Sequence, residues 1–347
     1  MDDGSFDKIT IVIPTFNRCS YLFRLLDYYR LYAPGIRIVI GDSSLDKNKE
    51  INRRTILSLS DSNILHFNYP SDIIGLLKVQ DLLNQVNTKY CVFCGDDDFI
   101  IPNGINQSVN FLEDNPDFTV APGHYISFET KPGKSRFCWK PCYQYESNIS
   151  PDPASRLLSH FANYTATTSY AVNRTDFLNM IFKEAIKFTS DDRFGELLPS
   201  MLALIYGKMK HLDVLYAVRE FWSGADSRAS KNMPDFVREG TFDEKYAKFR
   251  ECLATHLSRQ SQLNIEEAEK TVDTAMHLYY AVNYTLKKKE IKSLSLYKRL
   301  FLPGKIVMDN FARSVEDPSS KYYDDFNKIR NHVLHHSRHQ SSVGMAT

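Results

Sequence analysis

Long apolar runs are missing from the sequence, and none approaches the roughly 20 residues that a membrane-spanning helix needs. Charge of one sign is not in excess, since 43 Lys and Arg stand against 42 Asp and Glu, and we expect no nucleic-acid partner. Cysteine is scarce, with six among 347 residues, and the first residues lack the apolar stretch of a secretion signal. We therefore expect free thiols and a cytoplasmic protein.

The sequence does contain a regular alternation of strand and helix patterns over its first 115 residues. Short β-branched runs, typical of buried parallel strands, alternate with stretches whose apolar residues recur at helical spacing. The predicted strands cover residues 9–13, 36–40, 64–68 and 89–94, and the predicted helices cover residues 18–31 and 76–86. This alternation predicts an α/β fold with a Rossmann-like, mostly parallel sheet.

Polar residues follow the predicted strands at the edge where parallel sheets bind ligands. The first strand is followed by Thr15, Asn17 and Arg18, the second by Asp42, and the fourth by the turn Gly95–Asp98. The three adjacent carboxylates of the turn repel one another, and a bound cation would relieve that repulsion. Mg²⁺ and Mn²⁺ favour carboxylate and phosphate oxygens, so the turn is a candidate metal–diphosphate site. A cluster that caps the next helix is the alternative.

Residues 8–18, with the sequence KITIVIPTFNR, resemble the opening strand and loop of family 2 glycosyltransferases. Asp42 and the Asp-rich turn followed by Phe-Ile-Ile-Pro fit the same family. The resemblance covers about residues 1–225 and implies a GT-A fold with a mixed acceptor half. One departure is Gly95, because the commonest turn in the family is Asp-x-Asp-Asp and this chain has the Gly-Asp-Asp-Asp variant of a subset.

The resemblance and the change of pattern along the chain predict the domain organisation. Residues 1–230 would form the GT-A catalytic domain, with a nucleotide-sugar half at 1–115 and an acceptor half at 116–230. Strand signals become few beyond residue 235, so residues 231–347 are expected to form a helical C-terminal domain.

The resemblance also implies roles for the polar residues of the donor half. Asp42 would accept a hydrogen bond from the base, Asp96 would face the ribose, and Asp97 would bind Mn²⁺ or Mg²⁺ with Asp98 in support. The residues expected to bind the nucleotide sugar are Pro14, Thr15, Asn17, Arg18, Asp42, Lys78 and Asp96. A loop cap is the alternative role for Asp42, and a solvated helix lysine is the alternative for Lys78.

An inverting transfer needs a general base that deprotonates the acceptor hydroxyl. The family supplies an Asp or Glu at the start of a helix in the acceptor half, and here Asp191 and Asp192 precede the apolar run 197–206. The resemblance favours Asp192 as the base, with Asp191 as the second candidate. Helix capping by Ser190 or Asp191 is the alternative interpretation of the same residues.

The C-terminal part carries two further patterns. Residues 287–305 contain seven cationic side chains and one acid, Glu290, interleaved with leucines, which predicts either peripheral contact with the inner face of an anionic membrane or a solvated helix face. His332, His335, His336 and His339 have the spacing of metal ligands on a helix, but no carboxylate or cysteine lies beside them in the sequence. We expect these histidines to be a solvated tail.

Together these features predict a metal-dependent, inverting glycosyltransferase that uses a nucleotide-diphosphate sugar as donor and a glycan or lipid-linked saccharide as acceptor. A sugar-phosphate nucleotidyltransferase is one alternative, but it would need a glycine-rich phosphate loop where residues 15–18 contain no glycine. A catalytically inactive glycan- or membrane-binding adaptor is the other alternative, and the retained Gly95–Asp98 turn and the Asp191–Asp192 pair disfavour it.

Overall fold

The computed structural model describes residues 6–131, 134–221, 231, 233–282 and 310–343. The strands are β1 (Ile9–Thr15), β2 (Arg37–Asp42), β3 (Ile64–Asn68), β4 (Tyr90–Phe93), β5 (Asp98–Ile100), β6 (Phe118–Ala121), β7 (His124–Lys131), β8 (Lys134–Cys142), β9 (Val172–Arg174), β10 (Lys208–Met209) and β11 (Leu215–Glu220). The helices are α1 (Cys19–Tyr32), α2 (Asp46–Leu59), α3 (Gly75–Asn84), α4 (Pro102–Asp114), α5 (Pro153–Ala162), α6 (Thr175–Phe188), α7 (Asp192–Tyr206), α8 (Met233–Arg238), α9 (Phe242–Gln260), α10 (Ile265–Tyr280) and α11 (Tyr323–Val343).

The main sheet has seven strands in the order β10-β6-β9-β4-β1-β2-β3. Strands β4, β1, β2 and β3 run parallel to one another, and β9 is antiparallel to β4 and β6. The β-branched run of β1 is buried because helices cover both faces of a parallel sheet. The predicted α/β class, a mostly parallel sheet followed by a mixed part and C-terminal helices, is confirmed.

The register of the parallel strands determines where the polar residues lie. Thr15 at the end of β1 pairs with Asp42 at the end of β2, and Val12 of β1 pairs with Phe93 of β4. Cys94 then continues the pairing, because its N–H donates to the carbonyl of Val12 over 3.0 Å. The Asp-rich turn therefore begins beside the end of β1, at the ligand-binding edge of the sheet.

A second sheet of four strands, in the order β5-β11-β7-β8, continues from the turn. Strand β5 is antiparallel to β11, which places Asp98 opposite Arg219. Strands β6 and β7 are separated by only two residues, yet they belong to different sheets. Gly123 lies between them, and a Cβ there would stand 2.7 Å from the carbonyl oxygen of Val214. The chain changes sheets where only glycine fits.

The C-terminal helices pack onto the α/β part rather than standing apart from it. Helices α9 and α10 contact each other, α5 and α7, while α11 contacts β8, β11 and α1. Phe249, Phe326 and Val333 are buried in the same hydrophobic cluster as Ile9 of β1. None of the helices in the described ranges is both long and apolar enough to cross a membrane. The basic segment 287–305 lies outside the described residues, so its membrane contact stays a prediction.

Candidate active site

The acidic turn Gly95–Asp98 joins β4 to β5 beneath the loop that follows β1. Asp96 is 4% exposed and accepts a hydrogen bond from Thr15 Oγ1 over 2.7 Å. Burial and the neighbouring charge of Asp97 raise the pKa of Asp96 to about 6, although Thr15 and Arg18 act in the opposite direction. A carboxyl group in this state either shares a proton or is stabilised by a cation.

Arg18 supplies such a cation. Its guanidinium lies 3.0 Å from Asp96 Oδ1 and 2.7 Å from Asp97 Oδ2, and so bridges two carboxylates of the turn. Burial acts to lower the pKa of Arg18, but the two carboxylates outweigh it and raise the pKa above its ordinary value. Asp97 is the more accessible of the two acids, with 14% of its side chain exposed against 4% for Asp96. The turn therefore attracts positive charge where the expected metal would bind.

Asp98 faces away from this bridge, into the second sheet. It is 2% exposed, and Arg219 Nε donates to its Oδ2 over 2.6 Å. Burial raises the pKa of the Asp98 carboxyl group, against the opposing effect of Arg219. Its other oxygen, Oδ1, is buried and has no hydrogen-bond partner within the described part of the chain. One orphaned carboxylate oxygen beside a charged pair is a place where a further ligand or ion fits.

Gly95 accounts for the departure from the commonest family turn. A Cβ at this position would lie 3.0 Å from Asp97 Oδ1 and 3.1 Å from Asp98 Oδ2. A side chain here would require the carboxylates of Asp97 and Asp98 to shift by a few tenths of an ångström, whereas glycine leaves a cradle between them. The donor set and this cradle fit Mg²⁺ or Mn²⁺, which usually takes one or two protein carboxylates and completes its shell with phosphate and water oxygens.

Asp42 lies at the end of β2 and is fully buried. Its Oδ1 accepts from the N–H of Ser44 over 2.8 Å, and its Oδ2 accepts from Asn52 Nδ2 over 2.8 Å and lies 3.3 Å from His66 Nε2. Burial would raise the pKa of Asp42, but these hydrogen bonds outweigh it and lower the pKa to about 2. The loop-capping role is thus observed, and the base-binding role stays a prediction.

The state of Asp42 makes the stability of the fold sensitive to acid. Its pKa in the folded protein is about 2, below the ordinary value of 3.8. The ionised Asp42 therefore stabilises the folded state fully above a pH of about 4. This contribution to the free energy of unfolding, about 2 kcal/mol, is lost as the pH falls towards 2. Urea unfolding between pH 2 and 6 should show a shallower acid loss for Asp42→Asn. Asn52→Ala, which removes one donor, should be intermediate. Identical pH slopes for all three proteins would contradict the assignment.

The other residues predicted to bind the donor include three that lie at the end of β1 and in the loop after it. Asn17 adopts a left-handed backbone (φ 55°), and its Oδ1 accepts from the N–H of Leu45 over 2.9 Å and from Asn48 Nδ2 over 3.0 Å. Pro14 lines an open cleft, and Thr15 lies beneath it, bound to Asp96. Asn17 thus holds the β1 loop to the β2 loop.

Lys78 of α3 is not a solvated helix lysine, so that alternative is wrong. It is 7% exposed, and its Nζ donates to Ser43 Oγ over 2.7 Å and to the carbonyl oxygen of Thr15 over 3.4 Å. Burial lowers its pKa, although the charges of Asp42 and Asp96 act to raise it. A buried cation between the ends of β1 and β2 is suited to an anionic ligand at this edge.

The predicted acceptor side lies at the start of α7. Asp191 is the N-cap of this helix, since its Oδ1 accepts from the N–H of Phe194 over 2.9 Å, and its Oδ2 lies 3.2 Å from Lys245 Nζ. The capping interpretation is therefore correct for Asp191. Asp192 is the first residue of α7, but its side chain lies outside the described part of the chain, so its role as base stays a prediction.

Glu196 is a candidate that the sequence analysis did not single out. It lines, together with Pro14, Tyr170 and Gly195, a cleft of about 270 Å³. Its side chain is 40% exposed, and Tyr164 Oη lies 3.3 Å from its Oε1. Glu196 follows Asp192 by four residues, so the two begin on the same face of α7. This helical spacing is the signal that could have identified it.

No protein-family model matches the sequence, and no curated protein sequence matches it either. Solved structures do match its fold. S. aureus TarS 1–349 in complex with UDP-GlcNAc has 14% sequence identity and a TM-score of 0.53, over 96% of this chain and 92% of that one. The mannosyltransferase PcManGT from Pyrobaculum calidifontis, in complex with GDP-Man and Mn²⁺, gives 12% identity and a TM-score of 0.46, over 96% and 86% of the two chains. The fold of TarS 1–349 is therefore shared by almost the whole of this chain.

Proposed function

We propose that this protein is a metal-dependent glycosyltransferase that transfers a sugar, with inversion, from a nucleotide-diphosphate sugar to a saccharide hydroxyl. The observation that carries the proposal is the acidic turn at the edge of the sheet, where Asp96 and Asp97 bind the guanidinium of Arg18. An open cleft lies beside the turn, and the carboxylate of Glu196 lines it. The fold shared with TarS supports it, because that protein was solved with a nucleotide sugar.

The donor side would be organised by charge. Asp97, with Asp98 in support, would hold Mn²⁺ or Mg²⁺, which neutralises the leaving diphosphate as negative charge builds on it. Asp96 would accept a hydrogen bond from the ribose, and Lys78 would supply fixed positive charge near the nucleotide. Because Arg18 now bridges Asp96 and Asp97, binding of the donor would require the guanidinium to exchange carboxylate partners for phosphate oxygens.

The acceptor side would supply the base. Asp192 would take the proton from the attacking hydroxyl while the new oxygen–carbon bond forms at the anomeric carbon. The bond to the diphosphate oxygen breaks, and the diphosphate leaves with the electron pair. Glu196 would hydrogen-bond the acceptor in the cleft, where its partly exposed carboxylate can meet sugar hydroxyls.

The acceptor that we propose is a glycan or lipid-linked saccharide. The open form of the cleft supports this, because a longer saccharide can extend out of it. A lipid-linked acceptor would also fit a cytoplasmic enzyme held at the inner membrane face by residues 287–305. That attachment rests on the basic composition of the segment alone.

A thermal-shift screen of nucleoside diphosphates with and without Mn²⁺ tests the proposal. A ligand at 100 times its dissociation constant stabilises the folded state by about 2.7 kcal/mol, so one base should stand out when Mn²⁺ is present. Release of the nucleoside diphosphate from the matching sugar donor should then be measurable. Pyrophosphate release from a nucleoside triphosphate would support the nucleotidyltransferase instead. Binding without turnover on any donor would support the inactive adaptor.

A further inference from the structure

The C-terminal helix α11 brings two histidines against an aspartate of α1. His332 and His336 are four residues apart on one face of α11, and Asp27 lies opposite them. Each of the three offers a ligand atom, and these atoms all lie within 4.8 Å of one another. Within the described ranges, these three side chains alone meet that distance as a group of His, Cys, Asp or Glu. The carboxylate that the sequence lacked beside the histidines comes from the first helix.

The hydrogen bonds around the group match those of metal ligands. His332 Nε2 lies 2.8 Å from the carbonyl oxygen of Arg24, which can only accept, so His332 donates through Nε2 and carries its lone pair on Nδ1. A metal-binding histidine almost always donates its second ring N–H to a carbonyl or carboxylate in this way. His336 Nε2 lies 3.2 Å from Asp27 Oδ2, so these two ligand atoms already meet.

The candidate ligands lie in a packed junction between α11 and α1. His332 is buried, and Asp27 Oδ1 accepts from Arg30 Nη2 over 2.8 Å. His332 is held in place by ring contacts with Tyr28 and Phe99, at centroid distances of 5.5 and 6.0 Å.

We propose that Asp27, His332 and His336 form a Zn²⁺ site that fastens α11 to α1. Zn²⁺ binds imidazole nitrogens and carboxylate oxygens as ligands. Its usual coordination number is four, so two histidines and one aspartate leave one position for water. The site is separate from the acidic turn and does not depend on the proposed transferase activity. A hydrogen bond between His336 and Asp27 that merely docks the helix is the competing explanation.

The position of the site connects it to the donor edge of the sheet. The carbonyl of Arg24 accepts from His332, while the guanidinium of Arg24 donates to Glu220 over 2.6 Å and to the carbonyl of Asp97 over 3.3 Å. Zn²⁺ at the junction would hold α11 on the helix that supports the acidic turn. Its removal should therefore loosen α11 first.

Calorimetric titration of Zn²⁺ into the untagged, chelator-treated full chain tests the proposal. We expect each chain to bind one equivalent of Zn²⁺ tightly in the absence of nucleotide. Asp27→Asn and His336→Ala, which change half-buried surface positions, should each weaken binding more than about 100-fold, beyond the 10–100-fold typical of outer partners. His335→Ala is the matched control, because His335 is an exposed neighbour on the same helix. Asp97→Asn should keep the equivalent and so exclude binding at the acidic turn.

Spectroscopy with Co²⁺ in place of Zn²⁺ gives a second readout. A four-coordinate site with two imidazoles should produce visible absorption that Asp27→Asn and His336→Ala abolish and His335→Ala retains. Absence of a tight equivalent in the wild-type chain would overturn the proposal. Binding that Asp27→Asn and His336→Ala leave unchanged, or that His335→Ala weakens equally, would also overturn it and leave the hydrogen bond between His336 and Asp27 as a docking contact alone.

Discussion

Asp97→Asn is expected to abolish the Mn²⁺-dependent part of nucleoside-diphosphate binding and, with it, sugar transfer. The substitution preserves the shape of the side chain but removes the charge that a divalent cation needs. Asp97 is the least buried carboxylate of the turn, and its present partner is the guanidinium of Arg18. The fold should survive, because the side chain lies in a turn outside the hydrophobic core and Arg18 keeps its ion pair with Asp96. Calorimetric titration of the nucleotide with and without Mn²⁺ measures the effect.

The difference between the two titrations separates metal binding from a loss of the Arg18 contact. If Asp97 only positions Arg18, the variant should bind nucleotide more weakly both with and without Mn²⁺. The increment in nucleotide affinity that Mn²⁺ gives should then persist. If Asp97 is a metal ligand, the increment should vanish. Asp117→Asn is the matched control, since Asp117 is an exposed, ion-paired aspartate between α4 and β6. A persistent increment in Asp97→Asn would refute the metal assignment.

The parts of the fold with strong local signals could be predicted from the sequence. Strand β3 has the predicted bounds 64–68, and the apolar run 197–206 lies within α7, which ends at Tyr206 as that run does. Strands β1, β2 and β4 agree to within one or two residues. Each of these elements is specified by its own apolar pattern and by the turn residues that bound it.

Elements that depend on distant partners escaped prediction. Strand β5 has only three residues, and it exists because β11 pairs with it from more than 100 positions further along the chain. Helix α2 is mostly exposed, with buried positions at Asn52 and Ile56, so its apolar periodicity is faint. In both cases the tertiary environment, rather than the local sequence, determines the structure.

The candidate site likewise has features that the local sequence predicts and features that depend on distant partners. The sequence predicts which polar residues follow each strand, and the register brings Thr15, Arg18, Asp96 and Asp97 together. It does not predict that Arg219 neutralises Asp98 or that Lys78 is buried, because both depend on side chains from separate parts of the chain. The approach of Asp27 to the C-terminal histidines likewise spans about 300 residues.

The identity of the base can be decided by replacing the three carboxylates of the predicted acceptor side one at a time. Asp192→Asn is expected to lower the rate of transfer about 100-fold or more, the usual scale of general-base catalysis, with little change in donor affinity. Asp191→Asn should have a small effect, because asparagine caps a helix as well as aspartate does and only the ion pair with Lys245 is lost. Glu196→Gln should raise the KM for the acceptor more than it lowers kcat.

The pH dependence of kcat/KM distinguishes a base from a residue that merely positions the acceptor. Loss of the base removes the acidic limb of the profile, because no group is left whose deprotonation activates the acceptor. A positioning residue lowers the whole profile and keeps its shape. We expect the acidic limb to disappear in Asp192→Asn alone. Its disappearance in Asp191→Asn would exchange the roles of the pair, and its disappearance in Glu196→Gln would transfer the role to the cleft carboxylate. An acidic limb retained in all three variants would exclude these carboxylates as the base of an inverting transfer.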